Sequence, residues 1–138
     1  LAAQEQIFQR GARGRISLVA AGEAPLTIGY GPHAQSFVNQ GAPIDWVPLE
    51  PVVVIVNTVS IAARPPHPAA ARLFIDFLFS KPAQLKLREL SRIPSRSDVE
   101  ADPPRLNKGF KKVVQDLEND GMAESIKLFQ QTFGLTAG

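Results

Sequence analysis

Apolar residues recur along this chain in short segments separated by glycine and proline. Between Ala12 and Ala21, Ile16, Val19 and Ala20 fall on one helical face, and Gly22 follows where a helix end favours a left-handed residue. Leu26, Ile28 and Tyr30 then alternate, which predicts a short strand over Pro25 to Tyr30. Gly29 and Gly31 bracket Tyr30, and Pro32 suits the first turn of a helix that carries Phe37 and Val38 and closes at Gly41. Ile44 to Val47 reads as a second strand. Pro48 and Pro51 separate it from the β-branched run Val52 to Ile61, which predicts a buried strand or two.

The strongest helical pattern starts at Pro68, with His67 just before it, and places Ala71, Phe74, Ile75 and Leu78 at i, i+3, i+4 and i+7. Ser80 ends that helix and can cap the next one through Lys81-Pro82, whose apolar face is Leu87 and Leu90 and which Ile93-Pro94 terminates. A polar, proline-bearing stretch from Ser95 to Pro104 resembles a crossing segment. Helical patterns follow at Phe110 to Leu117 and Met122 to Phe133, with Gly134 as the final cap. Alternation of helices and strands makes the class α/β, with helices flanking a small mixed sheet. So few strands cannot cover so many apolar helix faces, an imbalance that points to missing chain.

Composition narrows the function. The 138 residues suit one domain or a piece of a larger protein, and 44% hydrophobic against 20% charged residues excludes a disordered chain. The 15 Lys and Arg against 13 Asp and Glu leave a net charge of only +2, so nucleic acid is not implied. Basic residues between Lys81 and Arg96 interleave with Leu85, Leu87 and Leu90, as on the wet face of an amphipathic helix. Zero cysteines remove thiolate catalysis and Cys-based metal sites. No apolar run approaches the roughly 20 residues of a membrane-spanning helix.

Candidate chemistry centres on Gly29-Tyr30-Gly31. With Ala34 at the third position, these glycines invite a dinucleotide reading, but Glu50 is the one acidic residue near the place of a ribose-binding carboxylate. A simpler reading keeps the physics without the cofactor. A helix beginning near Pro32 aims free N–H groups and partial positive charge beyond Gly31, with the Tyr30 hydroxyl and a His33 ring nitrogen at the same mouth. The structural alternative is a tight strand-to-helix turn. His33 and His67 are the only histidines, and neither has a carboxylate or second histidine at metal-ligand spacing, so no metal ligand set is assigned. Glu23 and Glu50 are loop carboxylates that could act as an acid/base pair only if the fold joined them, and no nucleophile elbow is present. Trp46 is either core or a stacking platform.

The runs Leu18-Val19-Ala20-Ala21-Gly22-Glu23-Ala24-Pro25, Gly41-Ala42-Pro43-Ile44-Asp45-Trp46-Val47 and His67 to Ser80, supported by Gln84 and by Arg92 to Val99, resemble a known family. It is that of the extracellular solute-binding proteins of ABC importers, in the iron-type branch of the type 2 periplasmic-binding fold. The resemblance implies a two-lobed protein about twice this length, of which this chain matches the C-terminal half. Residues 1–48 would then lie in the second, ligand-binding lobe, 49–100 would cross the hinge to complete the first, and 101–138 would return. Iron-binding members supply a tyrosine pair where this chain has Tyr30 alone, followed by Gly31-Pro32. One phenolate makes a thin shell for a hard trivalent ion, so the resemblance here implies a small anionic solute, with ferric ion as the alternative. Gly29, Tyr30, Gly31 and His33 become the expected ligand contacts, with Glu50 near the hinge. The implied partners are the solute, a membrane permease and the missing N-terminal half, with no catalysis and no cofactor. The implied location is periplasmic or extracellular, with a lipid anchor as one form of attachment. The rivals are an enzyme built on the same architecture and the effector-sensing domain of a transcription regulator.

Overall fold

The computed structural model describes residues 3–4, 6–114 and 121–134. In chain order its elements are helices α1 (Ala12–Ala20) and α2 (Gly31–Asn39), strand β1 (Val52–Val54), helices α3 (Pro68–Leu78) and α4 (Lys81–Glu89), a 3-10 turn at Pro104–Leu106, strand β2 (Lys112–Val114) and helix α5 (Met122–Phe133).

Local signals set the helix ends. Past α1, Gly22 at φ 79° lets its own amide and that of Glu23 turn back to the carbonyls of Val19 and Leu18, which uses carbonyls a helix end leaves free. α3 starts at Pro68, a residue whose missing N–H costs nothing in a first turn, and His67 precedes it as expected. The Ser80 side chain accepts from the amide of Ala83, capping α4 as its sequence position predicts. Gly134 closes α5 in the left-handed region.

Strand expectations fare differently. Pro25 to Tyr30 and Ile44 to Val47 form no strand, and of Val52 to Ile61 only Val52–Val54 joins a sheet. Among the described residues the sheet has two strands, with β1 and β2 parallel and Val53 opposite Val113. Part of the expected helix at Phe110 to Leu117 is therefore strand. The spacing of Phe110, Val113, Val114 and Leu117 mimics a helical face, but β-branched Val113 and Val114 pair with β1 instead. The rest of that segment lies outside the described residues.

The buried core is small. Ile16, Ala83, Val99, Ala101 and Leu106 are its apolar members, joined by the buried polar residues Gln35, Gln84 and Ser91. Gln84 is 1% exposed and bonded through both its nitrogen and its oxygen: its amide donates to the Leu78 carbonyl at 2.8 Å, and its carbonyl accepts from the Ser95 amide at 2.7 Å. It thus ties the end of α3 to the segment after α4. By contrast, α3 buries no residue, and Leu73, Phe74 and Phe77 on its surface are exposed. The accessible surface of the chain is 10930 Å², where a compact protein of 15.0 kDa exposes about 7,000 Å².

Candidate functional site

The site is built around the start of α2. Tyr30, in extended conformation and 50% exposed, is the residue before its first turn, and its side chain makes no capping bond. A Cβ on Gly29 would sit 3.3 Å from Cδ1 of buried Ile16, so α1 leaves no room for a larger residue there without displacing core. A Cβ on Gly31 would meet the Trp46 ring at 3.5 Å, an ordinary contact. Close packing of α1 against the chain is thus what Gly29 permits, and Trp46 is a half-buried wall under the first turn of α2.

The expected row of free amides at this mouth is shorter than the sequence suggests. His33 and Ala34 both donate to the Tyr30 carbonyl, at 2.9 and 3.1 Å, and Pro32 has no N–H. Gly31 is left with the one first-turn amide that has no protein acceptor among the described residues. The tightened, 3-10-like first turn uses the donors internally.

Side chains supply the positive potential instead. The His33 ring stands edge-on to Tyr30, with centroids 5.6 Å apart, and its Nε2 lies 3.2 Å from Nη1 of Arg92, 59 residues away in sequence. A guanidinium can only donate, so Nε2 accepts and the neutral ring carries its proton on Nδ1. Burial holds the His33 pKa below its ordinary 6.5, and the charges of Arg92 and then Arg13 push it the same way. Nδ1 is buried and has no partner. His33 is therefore a neutral support for the Arg92 guanidinium.

A polar chain fixes α2 from its other side. Arg105 lies over the Trp46 ring at 4.7 Å, and its Nη2 donates to Asp45 at 2.6 Å and to the Gln35 side-chain oxygen at 3.2 Å. The Trp46 indole N–H donates to that same Gln35 oxygen at 3.0 Å. Gln35 in turn donates to Asn39, and Asn39 to the Ser91 hydroxyl, at 2.7 and 3.0 Å. The hydrogen bond from Arg105, with the Trp46 amide second, holds the Asp45 carboxyl below the usual carboxylate range. A groove of about 360 Å³ opens between α2 and the end of α4, with Arg13, Ser36, Asn39, Ser91 and Arg92 among its walls.

Of the expected contacts, Tyr30, Gly31 and His33 stand together at this mouth, and Gly29 packs on Ile16 behind it. Glu50 is engaged elsewhere. Its carboxylate accepts from the Lys111 amide at 3.1 Å, beside the β1–β2 pair, which links it to the sheet instead of to the Tyr30 cluster. The sequence reading overlooked Arg13, Arg92 and Arg105 as parts of one assembly. One signal was present for Arg13: α1 places two arginines in a helix that contains no acid. Among the described residues, no three His, Cys, Asp or Glu side chains gather as a metal site.

The family model for bacterial extracellular solute-binding proteins matches residues 9–85, from the segment before α1 into α4. No curated protein and no solved structure matches the chain.

Proposed function

This chain belongs to the family of bacterial extracellular solute-binding proteins, and from that membership we propose that it is the C-terminal half of a two-lobed receptor that closes on a small anionic solute by hinge bending. The receptor then delivers the solute to the permease of an ABC importer. Binding of a substrate for import is the role the family carries, and that family is extracellular. No helix among the described residues is long and apolar enough to cross a membrane.

The observation that carries the anionic reading is the set of groups around the start of α2. The Gly31 amide has no acceptor there, the Tyr30 ring stands against His33, His33 supports the Arg92 guanidinium, and no carboxylate pairs with Arg92 among the described residues. Such a set stabilises a carboxylate, phosphonate or phosphate better than a cation. The type 2 architecture and the missing lobe find support in the excess surface and in the uncovered stripe of α3. In that arrangement residues 1–48 belong to the second lobe, the chain crosses the hinge near Pro48 to Pro51, and Glu50 holds the crossing to Lys111. The Asn39–Ser91 and Gln35–Arg105 bonds support a return to the second lobe as early as Ser91.

A thermal-shift screen of the intact protein against small carboxylates, phosphate and phosphonates tests the reading, because a ligand of the folded state stabilises it in proportion to its occupancy. Tyr30→Ala is expected to weaken affinity for the hit about tenfold, a loss of ~1.4 kcal/mol of binding, with little change in unfolding temperature. Unchanged affinity together with the stability loss of a core deletion, ~3 kcal/mol, would overturn the assignment. Consumption of the hit during the assay would show an enzyme instead.

A further inference from the structure

The first turn of α2 has one amide to offer, whereas two arginines beside it have no acidic partner. Arg13 comes from α1 and Arg92 from the segment after α4, and both line the groove beside Ser36, Asn39 and Gln40 of α2 and the residue after it. Arg13 lies 5.8 Å from the Phe37 ring centroid, and no protein acceptor takes its N–H groups among the described residues. Arg92 commits Nη1 to His33 and leaves its other nitrogens free. Among the described residues five cations stand in ion pairs, among them Arg105 with Asp45, Arg96 with Asp98 and Lys108 with Glu100, and neither Arg13 nor Arg92 is one of them. Glu89, the acid that borders the groove, has its carboxylate on Lys86 at 2.6 Å.

We propose that this groove is the anion-recognition point of the receptor, in which Arg13 and Arg92 hold a carboxylate or phosphoryl group, with Ser36 and Ser91 also in its walls. The inference deepens the solute-binding reading and rests on it, but it moves the anion from the helix amides to two guanidiniums that line one groove, one from α1 and one from the segment after α4. A planar guanidinium gives two parallel N–H donors to an oxyanion, which the Gly31 amide alone cannot. His33 acts as a positioning residue: its acceptor nitrogen turns Arg92 and leaves the remaining N–H groups available. The groove volume of about 360 Å³ suits a small solute.

The test is calorimetric titration of the intact protein with inorganic phosphate and, separately, acetate. Arg13→Gln and Arg92→Gln are each expected to weaken binding of the preferred probe at least tenfold. Arg92→Lys should fall between native and Arg92→Gln, because it keeps the charge and loses the fork. Arg72→Gln, on the exposed side of α3, should bind within twofold of native, and unfolding curves should show every variant folded. Tighter phosphate identifies a phosphoryl ligand and tighter acetate a carboxylate; either supports the inference. Native affinity in both Arg→Gln variants, an equal loss in Arg72→Gln, or no binding of either probe at millimolar concentration overturns it. Arginine-dependent binding with unchanged affinity in Tyr30→Ala supports the groove and removes Tyr30 from the site. Dependence on Tyr30 without dependence on the arginines does the reverse.

Discussion

Helices α2 and α3 start alike, each with a proline in its first turn, and both carry phenylalanine on an amphipathic face, yet they are held by different means. Directional bonds seat α2: Gln35, 4% exposed, is joined to Trp46, Arg105 and Asn39, and Asn39 reaches Ser91. α3 has the wider apolar stripe and no cover for it, with Phe77 59% exposed. Polar networks of the first kind specify one orientation, because each partner must be satisfied once it leaves water. An apolar stripe specifies only that something must cover it. The contrast separates a helix whose orientation its own polar partners fix from one whose apolar face has no cover among the described residues.

The contrast breaks most visibly at α3. If the stripe is covered in the intact protein, Phe77→Ala should cost about 3 kcal/mol or more in urea unfolding, as for a buried phenylalanine. A loss below about 0.5 kcal/mol would mean that the face stays in water. Smaller, but on the satisfied side of the comparison, is Gln84→Leu. It strands the Leu78 carbonyl and the Ser95 amide, and about 2 kcal/mol should be lost in the same assay. Smallest is the effect of pH through His33. Its pKa is lowered in the folded state by burial and by the two arginines, so folding favours the neutral ring. Its contribution is complete above pH 6.5, where the unfolded ring is neutral too, and declines as pH falls from there to the folded value. His33→Gln should flatten that part of the stability profile, read as unfolding midpoint against pH. An unchanged slope would remove His33 from the buried, cation-flanked position described above.

Helices were legible in the sequence because their signals are local. Pro68, Ser80 with Lys81-Pro82, Gly22 and Gly134 each act within a few residues, and all four mark observed helix ends. Strands were not, since alternation at Leu26 and Ile28 says nothing about whether a partner is present. The same limit divides the site. Tyr30 and His33 are neighbours through one helical turn and could be paired on spacing alone. Arg92 meets His33 from 59 positions away and Arg105 meets Gln35 from 70, distances at which no periodicity operates. Glu50 shows the converse: a loop carboxylate suggested ligand chemistry, whereas its contact with Lys111 gives it a backbone amide to satisfy.

That contact joins residues 61 positions apart, and Val52 bonds to the same lysine's carbonyl alongside it. Closing so long a loop carries an entropic cost that the short β1–β2 ladder repays only once the intervening helices have shortened the distance. The α3–α4 pair rests on contacts local in sequence, whereas the parallel strands depend on a closure over 61 positions. A nascent chain cut short of Lys111 would hold Val52–Val54 as a bare edge, open to pairing with another copy.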